Sequence, residues 1–159
     1  MISLFKGEIA ADDRGTVKFV NDFNFVDVKR FYQVENHRKG YIRAWHAHAG
    51  EGKYVFVSAG AALIGSVELS PTELEKIRRK LAKTNFYMDE VSSSSIRGDV
   101  LCEEIPKVLW IPPYHANGAM TLRENTKIIY FSTATLEESK GDDIRFPYDT
   151  WNIWKEDFR

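Results

Sequence analysis

Short apolar segments bounded by turn residues recur along most of the chain. We interpret the following segments as strands: residues 16–19, 26–34, 41–45, 53–58, 61–69, 108–111, 119–122 and 127–133. Glycine, proline and asparagine separate them, for example at Gly60, Pro112-Pro113 and Asn117-Gly118. Many short strands at this spacing are typical of a β-sandwich or barrel. The pattern therefore predicts an all-β fold.

One segment has a helical pattern instead. Ser70 is a good N-cap residue, Pro71 suits the first helical position, and Glu73 places an acid in the first turn. Apolar residues then recur at helical spacing, at Leu74, Ile77 and Leu81. We predict a helix that begins at Pro71 and ends near Lys83, with a solvated basic end, followed by a loop over residues 92–95.

Aromatic side chains are dense in the C-terminal residues 146–158. Phe146, Tyr148, Trp151, Trp154 and Phe158 all lie there. Because so much aromatic area is seldom left in water, we expect this segment to pack on the barrel or at a subunit contact.

Composition excludes several functional classes. The chain has 22 Lys and Arg against 23 Asp and Glu, which argues against a protein held to nucleic acid by its overall charge. A single cysteine, Cys102, allows no intrachain disulfide and fits a reducing compartment. The apolar segments are too short to span a membrane, and the N-terminal residues lack a signal-peptide pattern. We expect a cytoplasmic protein with one domain over residues 1–159.

His46 and His48 are the strongest candidates for functional residues in the sequence. Strand alternation places both imidazoles on one face. Two imidazoles on one face inside a barrel indicate either a metal site or acid–base chemistry. The alternative is one buried, hydrogen-bonded histidine and one surface histidine.

The spacing of Gly40, His46, His48 and Gly60 resembles the first motif of the cupin family, and residues 112–117 resemble the second. The resemblance implies a cupin-type double-stranded β-helix, which is a jelly-roll barrel, with one inserted helix.

This chain departs from the metal-binding cupins at two ligand positions. It has Lys53 in place of the acidic ligand and Asn117 in place of the last histidine, with His115 as the possible substitute. A protonated lysine cannot bind a cation and repels one. We therefore expect no metal and no other cofactor.

Six short elements, in order along the chain, resemble the dTDP-4-dehydrorhamnose 3,5-epimerase family of metal-free cupins. They are Asp12-Asp13-Arg14-Gly15, Arg43-Ala44-Trp45-His46, Gly52-Lys53, residues 111–119, Tyr130, and Ile144-Arg145-Phe146 with Asp149. The resemblance implies an isomerase acting next to the carbonyl of a nucleotide-linked 4-keto-6-deoxy sugar, in deoxysugar or surface polysaccharide biosynthesis. It also implies a homodimer that exchanges an N-terminal strand.

The same resemblance implies four catalytic roles. His46 is the general base, with Asp149 on its other ring nitrogen. Lys53 stabilises the developing enolate oxygen, and Tyr130 delivers a proton to the opposite face of the sugar. The structural alternatives are an interior aromatic for Tyr130, a rim position for Lys53 and a turn cap for Asp149.

The remaining candidate residues would bind substrate. Arg14 and Arg43 suit a diphosphate, because guanidinium groups match phosphate oxygens, although Arg14 is also compatible with a turn residue in a surface ion pair. His48, His115 and Asn117 are expected to line the same site.

Three other functions remain open. The pattern Arg43-x-x-His46-x-His48 is also similar to sugar nucleotide 3,4-ketoisomerases, which would use both histidines as proton carriers. A cupin that binds a sugar nucleotide without turnover is the second, although it has little need of His46, Lys53 and Tyr130 together. A metal-dependent oxygenase is a more distant possibility.

Overall fold

The computed structural model describes residues 1–81, 86–89, 91, 93 and 95–155. Strands dominate this part of the chain: β1 (Ser3–Lys6), β2 (Glu8–Asp12), β3 (Gly15–Phe19), β4 (Arg30–Glu35), β5 (Ile42–His48), β6 (Lys53–Ala59), β7 (Ala61–Glu68), β8 (Ser95–Cys102), β9 (Lys107–Ile111), β10 (His115–Thr121), β11 (Lys127–Ser132) and β12 (Ile144–Arg145). Its helices are α1 (Pro71–Lys80) and α2 (Leu136–Asp142). None of the helices in the described residues is long and apolar enough to cross a membrane.

Two five-stranded antiparallel sheets form the barrel. The first has the order β1-β9-β6-β11-β4, the second β12-β5-β10-β7-β8, and β2 and β3 form a separate hairpin. Gly60 lies between β6 in the first sheet and β7 in the second, with a φ of 74° that side chains disfavour. The architecture confirms the predicted all-β, cupin-type jelly roll.

One apolar core fills the space between the sheets. Its buried members come from both sheets and include Val55, Ile64, Leu109, Ala119 and Ile128. Their strands alternate inward and outward side chains, so the polar residues placed among them also face the interior. This alternation is what turns part of the barrel into a polar cavity.

A second core lies on the other side of β5, where the C-terminal segment packs. The Trp45 ring contacts those of Trp151 and Trp154 at centroid distances of 5.5 and 4.8 Å, and both indoles are buried. Leu74 and Ile77 of α1 belong to the same cluster. The prediction that the aromatic C-terminal segment packs on the barrel is therefore confirmed, although Tyr148 is exposed and Phe158 lies outside the described residues.

Several predicted elements have different bounds in the structure. Strand β5 extends to His48 instead of ending at residue 45, and β10 begins at His115 instead of residue 119. Helix α1 begins at Pro71 as predicted, with the Ser70 hydroxyl accepting from the Glu73 N–H, but ends at Lys80. The predicted end near Lys83 falls within residues 82–85, which lie outside the described residues. Strand β4 begins at Arg30 instead of residue 26, because a turn closed by the Val28 N–H and the Phe25 carbonyl precedes it.

The sequence pattern missed β1, β2, β8, β12 and α2. All side chains of β2 and most of those of β8 are exposed, so neither strand has an apolar face to recognise. Ser95, which we expected in a loop, begins β8, whereas Ser92 and Ser94 lie outside the described residues. Helix α2 buries no side chain, so it has no apolar pattern. The sequence feature that could have predicted it is the capping box formed by Thr135 and Glu138.

Candidate active site

A cavity of about 370 Å³ is lined by side chains from both sheets and from α2. Its polar and aromatic lining includes Arg30, Tyr32, Arg43, His46, His48, Lys53, Asn117, Tyr130, Asp143 and Arg145. Six of the nine predicted site residues therefore share one cavity. The other three are Arg14, His115 and Asp149.

His46 is paired with Asp143 inside this cavity. The two residues meet because β12 pairs with β5, with Arg145 opposite His46. His46 Nδ1 lies 3.1 Å from Asp143 Oδ1, and Arg145 Nε donates to Asp143 Oδ2 at 2.7 Å. Burial alone raises the pKa of Asp143, but its contacts with His46 and Arg145 hold that pKa well below its usual value. The carboxylate is thus ionised and can only accept, so a proton on the facing His46 nitrogen is placed at Nδ1, and Nε2 is the nitrogen that would act as a base.

The predicted pairing of His46 with Asp149 is wrong. Asp149 is exposed in a turn closed by the Thr150 N–H and the Pro147 carbonyl, and it does not line the cavity. Asp143 takes the position instead, because it directly precedes the strand that pairs with β5. Asp143 directly precedes the Ile144-Arg145 pair of the motif, but no local sequence pattern distinguishes it from Asp149.

Lys53 and His48 form a buried pair next to this dyad. Lys53 is 6% exposed and His48 is 3% exposed, and Lys53 Nζ lies 3.2 Å from His48 Nε2. Burial and the charge of Lys53 lower the pKa of His48 to about 4. Burial also lowers the pKa of Lys53, against the opposing effect of the Glu51 and Asp143 carboxylates. His48 is therefore neutral near pH 7.

Two stacked phenols form part of the cavity wall. The rings of Tyr130 on β11 and Tyr32 on β4 are 5.1 Å apart and nearly parallel, and the guanidinium of Arg30 lies 5.0 Å from the Tyr32 ring centroid. Burial raises the pKa of both tyrosines well above the usual value. Both phenols therefore keep their protons at neutral pH. Sequence reasoning missed Tyr32, although alternation within the predicted strand places it beside the interior position 34.

Arg43 and Asn117 also lie where the sequence predicted. Arg43 lines the cavity and its Nε donates to Asn36 Oδ1 at 2.8 Å. Asn117 Nδ2 donates to the His46 carbonyl at 2.9 Å, at the point where the pairing of β10 with β5 shifts register. Asn117 thereby holds the backbone that carries the base.

Arg14 and His115 do not reach this cavity. The Arg14 side chain is 85% exposed at the turn between β2 and β3, where it pairs with Asp12. His115 is buried, and its Nδ1 lies 3.0 Å from the Pro113 carbonyl oxygen. It contacts a different cavity, beside Glu68. The predicted common substrate site therefore does not include these two side chains within one chain.

The side chains around His46 and His48 do not fit a metal ion. The Lys53 ammonium occupies the His48 Nε2 lone pair that a cation would need. At position 117 an amide replaces a histidine, and its nitrogen is engaged with the His46 carbonyl. Across the described residues, no group of three His, Cys, Asp or Glu side chains is arranged to hold a metal.

Comparison with known proteins gave matches among solved structures. The chain is similar to dTDP-4-dehydrorhamnose 3,5-epimerase from Sulfolobus tokodaii, with 27% identity, 96% of this chain and 81% of that chain covered, and a TM-score of 0.68. No protein-family model matches the chain, and neither does any curated sequence.

Two further structures share the fold at lower identity. The 3'-monoepimerase ChmJ from Streptomyces bikiniensis has a TM-score of 0.71 at 15% identity, covering 99% of this chain and 77% of that chain. The 3,4-ketoisomerase QdtA from Thermoanaerobacterium thermosaccharolyticum has a TM-score of 0.64 at 18% identity, covering 93% and 88%. The Sulfolobus epimerase and QdtA come from the two groups that the sequence motifs resemble, so the resemblance is confirmed.

Proposed function

We propose that the protein is an isomerase that acts next to the carbonyl of a nucleotide-linked 4-keto-6-deoxy sugar, with 3,5-epimerase-like chemistry. The observation that carries the proposal is the His46–Asp143 pair, whose imidazole lines the same cavity as Lys53 and Tyr130. The similar solved structures support the substrate class, because their names or bound molecules contain dTDP or TDP.

Each of these side chains meets one need of the reaction. A proton on the carbon next to a ketone is weakly acidic, so its removal requires a base and stabilisation of the enolate. His46 Nε2 takes the proton, and Asp143 stabilises the imidazolium that forms. The Lys53 ammonium stabilises the enolate oxygen, and the neutral phenol of Tyr130 returns a proton from the other side.

A 3,4-ketoisomerase is the second candidate, supported by the fold shared with QdtA and by the two cavity histidines. In that reaction His48 would carry a proton beside His46. Its burial and its contact with Lys53 Nζ weigh against this role, because the Nε2 lone pair is already occupied. The geometry therefore favours the epimerase.

Incubation with 4-keto-6-deoxy sugar nucleotides in deuterated water tests the function. We expect deuterium at C3, at C5 or at both, with inversion, because the proton removed by His46 exchanges with solvent. NMR identifies the exchanged carbons. A carbonyl moved from C4 to C3 would assign the ketoisomerase, and binding without any exchange would leave a sugar-nucleotide-binding protein.

We expect this activity to survive treatment with a chelator. An ammonium group beside His48 provides the positive charge that a metal would otherwise provide. Exchange rates measured before and after EDTA, with metal analysis of the purified protein, check this. Loss of activity with EDTA and recovery with one divalent ion would contradict the metal-free mechanism.

We further propose a cytoplasmic homodimer in deoxysugar or surface polysaccharide biosynthesis, with residues 1–159 as one cupin domain. The β2–β3 hairpin supports the dimer, because it is exposed and carries Arg14 at its turn. Exchange of this hairpin would bring Arg14 of one subunit towards a second cavity, where it would bind the diphosphate with Arg43.

A further inference from the structure

A buried carboxylate next to the catalytic cavity has no role in the mechanism given above. Glu51 lies in the turn between β5 and β6, and its side chain is fully buried. A buried carboxylate is costly unless it is hydrogen-bonded and balanced by positive charge. Its contacts therefore indicate what it does.

Three side chains from different elements hold this carboxylate. Ser132 Oγ of β11 donates to Oε1 at 2.7 Å, and Ser139 Oγ of α2 donates to Oε2 at 2.7 Å. Arg30 Nη2 of β4 donates to Oε1 at 3.2 Å. Burial raises the pKa of Glu51, but Lys53, His48 and the serine hydrogen bonds outweigh it and lower that pKa. Glu51 is thus a fixed negative charge.

The carboxylate faces the buried His48–Lys53 pair. An ammonium group can only donate, so Lys53 Nζ donates to His48 Nε2 and the ring proton of His48 is on Nδ1. That nitrogen lies 3.3 Å from Glu51 Oε2. Lys53, His48 and Glu51 therefore form a chain of close contacts. Within the described residues His48 Nδ1 makes no hydrogen bond, so Glu51 acts on this ring through its charge at 3.3 Å.

The turn that carries Glu51 is itself fixed. The Gly52 N–H donates to Thr133 Oγ1, and the Thr133 N–H donates to the Gly52 carbonyl. Gly52 packs so closely on Trp110 that an added Cβ would lie 2.0 Å from the ring. Glu51 and Lys53 are thus held on either side of a position that admits only glycine.

We infer that Glu51 is a positioning residue whose buried charge favours the His48 ring proton on Nδ1 and holds the Lys53 ammonium charged inside the cavity. The inference rests on the proposed function in one respect: the kinetic effect expected below assumes that the charged Lys53 stabilises the enolate oxygen. Glu51 does not line the cavity and acts through the two residues that do.

The charge on Lys53 depends on every group that faces it. These groups are Arg43, His46 and His48 on β5, Glu51 in the turn, Arg30 and Tyr32 on β4, Tyr130 on β11, Lys140 on α2, and Asp143 and Arg145 at β12. Only Glu51 and Asp143 among them are anions. Because Asp143 also contacts His46 and Arg145, Glu51 is the anion whose removal tests the Lys53 charge most directly.

Glu51→Gln keeps the size of the side chain and removes its charge. In the ligand-free protein, NMR of ¹³C-labelled lysine should show Lys53 deprotonating at a pH lower by about one unit or more, because an ammonium loses its nearby anion. In turnover, the alkaline limb of kcat should move in the same direction, with KM little changed. Glu137→Gln, an exposed change on α2, is the matched control and should alter neither.

Glu51→Asp separates charge from hydrogen bonding. Aspartate keeps the charge but is too short for all three contacts, whereas glutamine retains the length. We expect Lys53 to titrate closer to wild type in Glu51→Asp than in Glu51→Gln. The reverse order, or an unchanged Lys53 titration in Glu51→Gln, would overturn the inference.

The wild-type protein gives a test that requires no variant to fold. ¹⁵N NMR of its histidines should show His48 neutral and protonated on Nδ1 from pH 6 to pH 8, since its pKa is about 4. A proton on Nε2 would contradict the chain. These ligand-free readouts decide the inference even if no nucleotide sugar is turned over, which would refute only the proposed function.

Discussion

His46→Asn is expected to abolish deuterium uptake at the carbons next to the ketone while the protein remains folded. His46 Nε2 is the base in the proposed mechanism, and the Asp143 carboxylate at Nδ1 holds it in the reactive tautomer. Loss of a general base typically reduces the rate by about 10²- to 10⁴-fold. The rate of solvent exchange, followed by NMR in deuterated water, measures the effect.

His37→Asn is the matched control, because His37 is exposed and does not line the cavity. It should exchange deuterium at the wild-type rate. The exchange rate of Asp143→Asn should lie between those of His46→Asn and His37→Asn, since this change leaves the imidazole in place and removes only its carboxylate partner. A folded His46→Asn protein with near-normal exchange would remove His46 from the mechanism.

Strand alternation explains why much of this cavity was predictable. His46 and His48 are two residues apart on β5, and Tyr130 and Ser132 are two apart on β11, so each pair shares a face. The register of the barrel then brings these faces together, with Lys53 opposite Ser132. The local sequence pattern was sufficient to predict these cavity residues because each of them lies within a strand.

The partner of His46 was not predictable in the same way. Asp143 and Asp149 both follow α2 and lie close together in sequence, and no local pattern distinguishes them. The choice depends on which short segment pairs with β5, about one hundred residues away along the chain. The short strand β12 has too few residues to show an alternation.

Glu51 was missed for a related reason. A glutamate beside two glycines in a turn is ordinarily exposed, and nothing nearby in the sequence indicates burial. Its burial depends on Arg30, Ser132 and Ser139, which come from three distant elements. One of these elements is α2, which has no apolar face and which the sequence pattern also missed.

Tyr130→Phe is expected to separate inversion from exchange. Inversion requires a proton to leave one face of the carbon and another to arrive at the opposite face, and one imidazole cannot serve both faces of a fixed sugar. The buried phenol of Tyr130 keeps its proton at neutral pH and lines the cavity that holds His46. We expect deuterium uptake to remain at least partly intact and net inversion to fall by about 10²-fold.

The stacked arrangement of the phenols makes Tyr32→Phe an informative comparison. The two rings are 5.1 Å apart, so either hydroxyl is a candidate donor on geometry alone, and the larger loss of inversion identifies which one acts. Tyr41→Phe, outside this cavity, should change neither rate. If Tyr130→Phe and Tyr32→Phe both invert as fast as wild type, no opposed phenol is needed. Neither phenol would then be the opposed proton donor, and the 3,4-ketoisomerase would replace the epimerase if wild-type turnover moves the carbonyl from C4 to C3 without inversion.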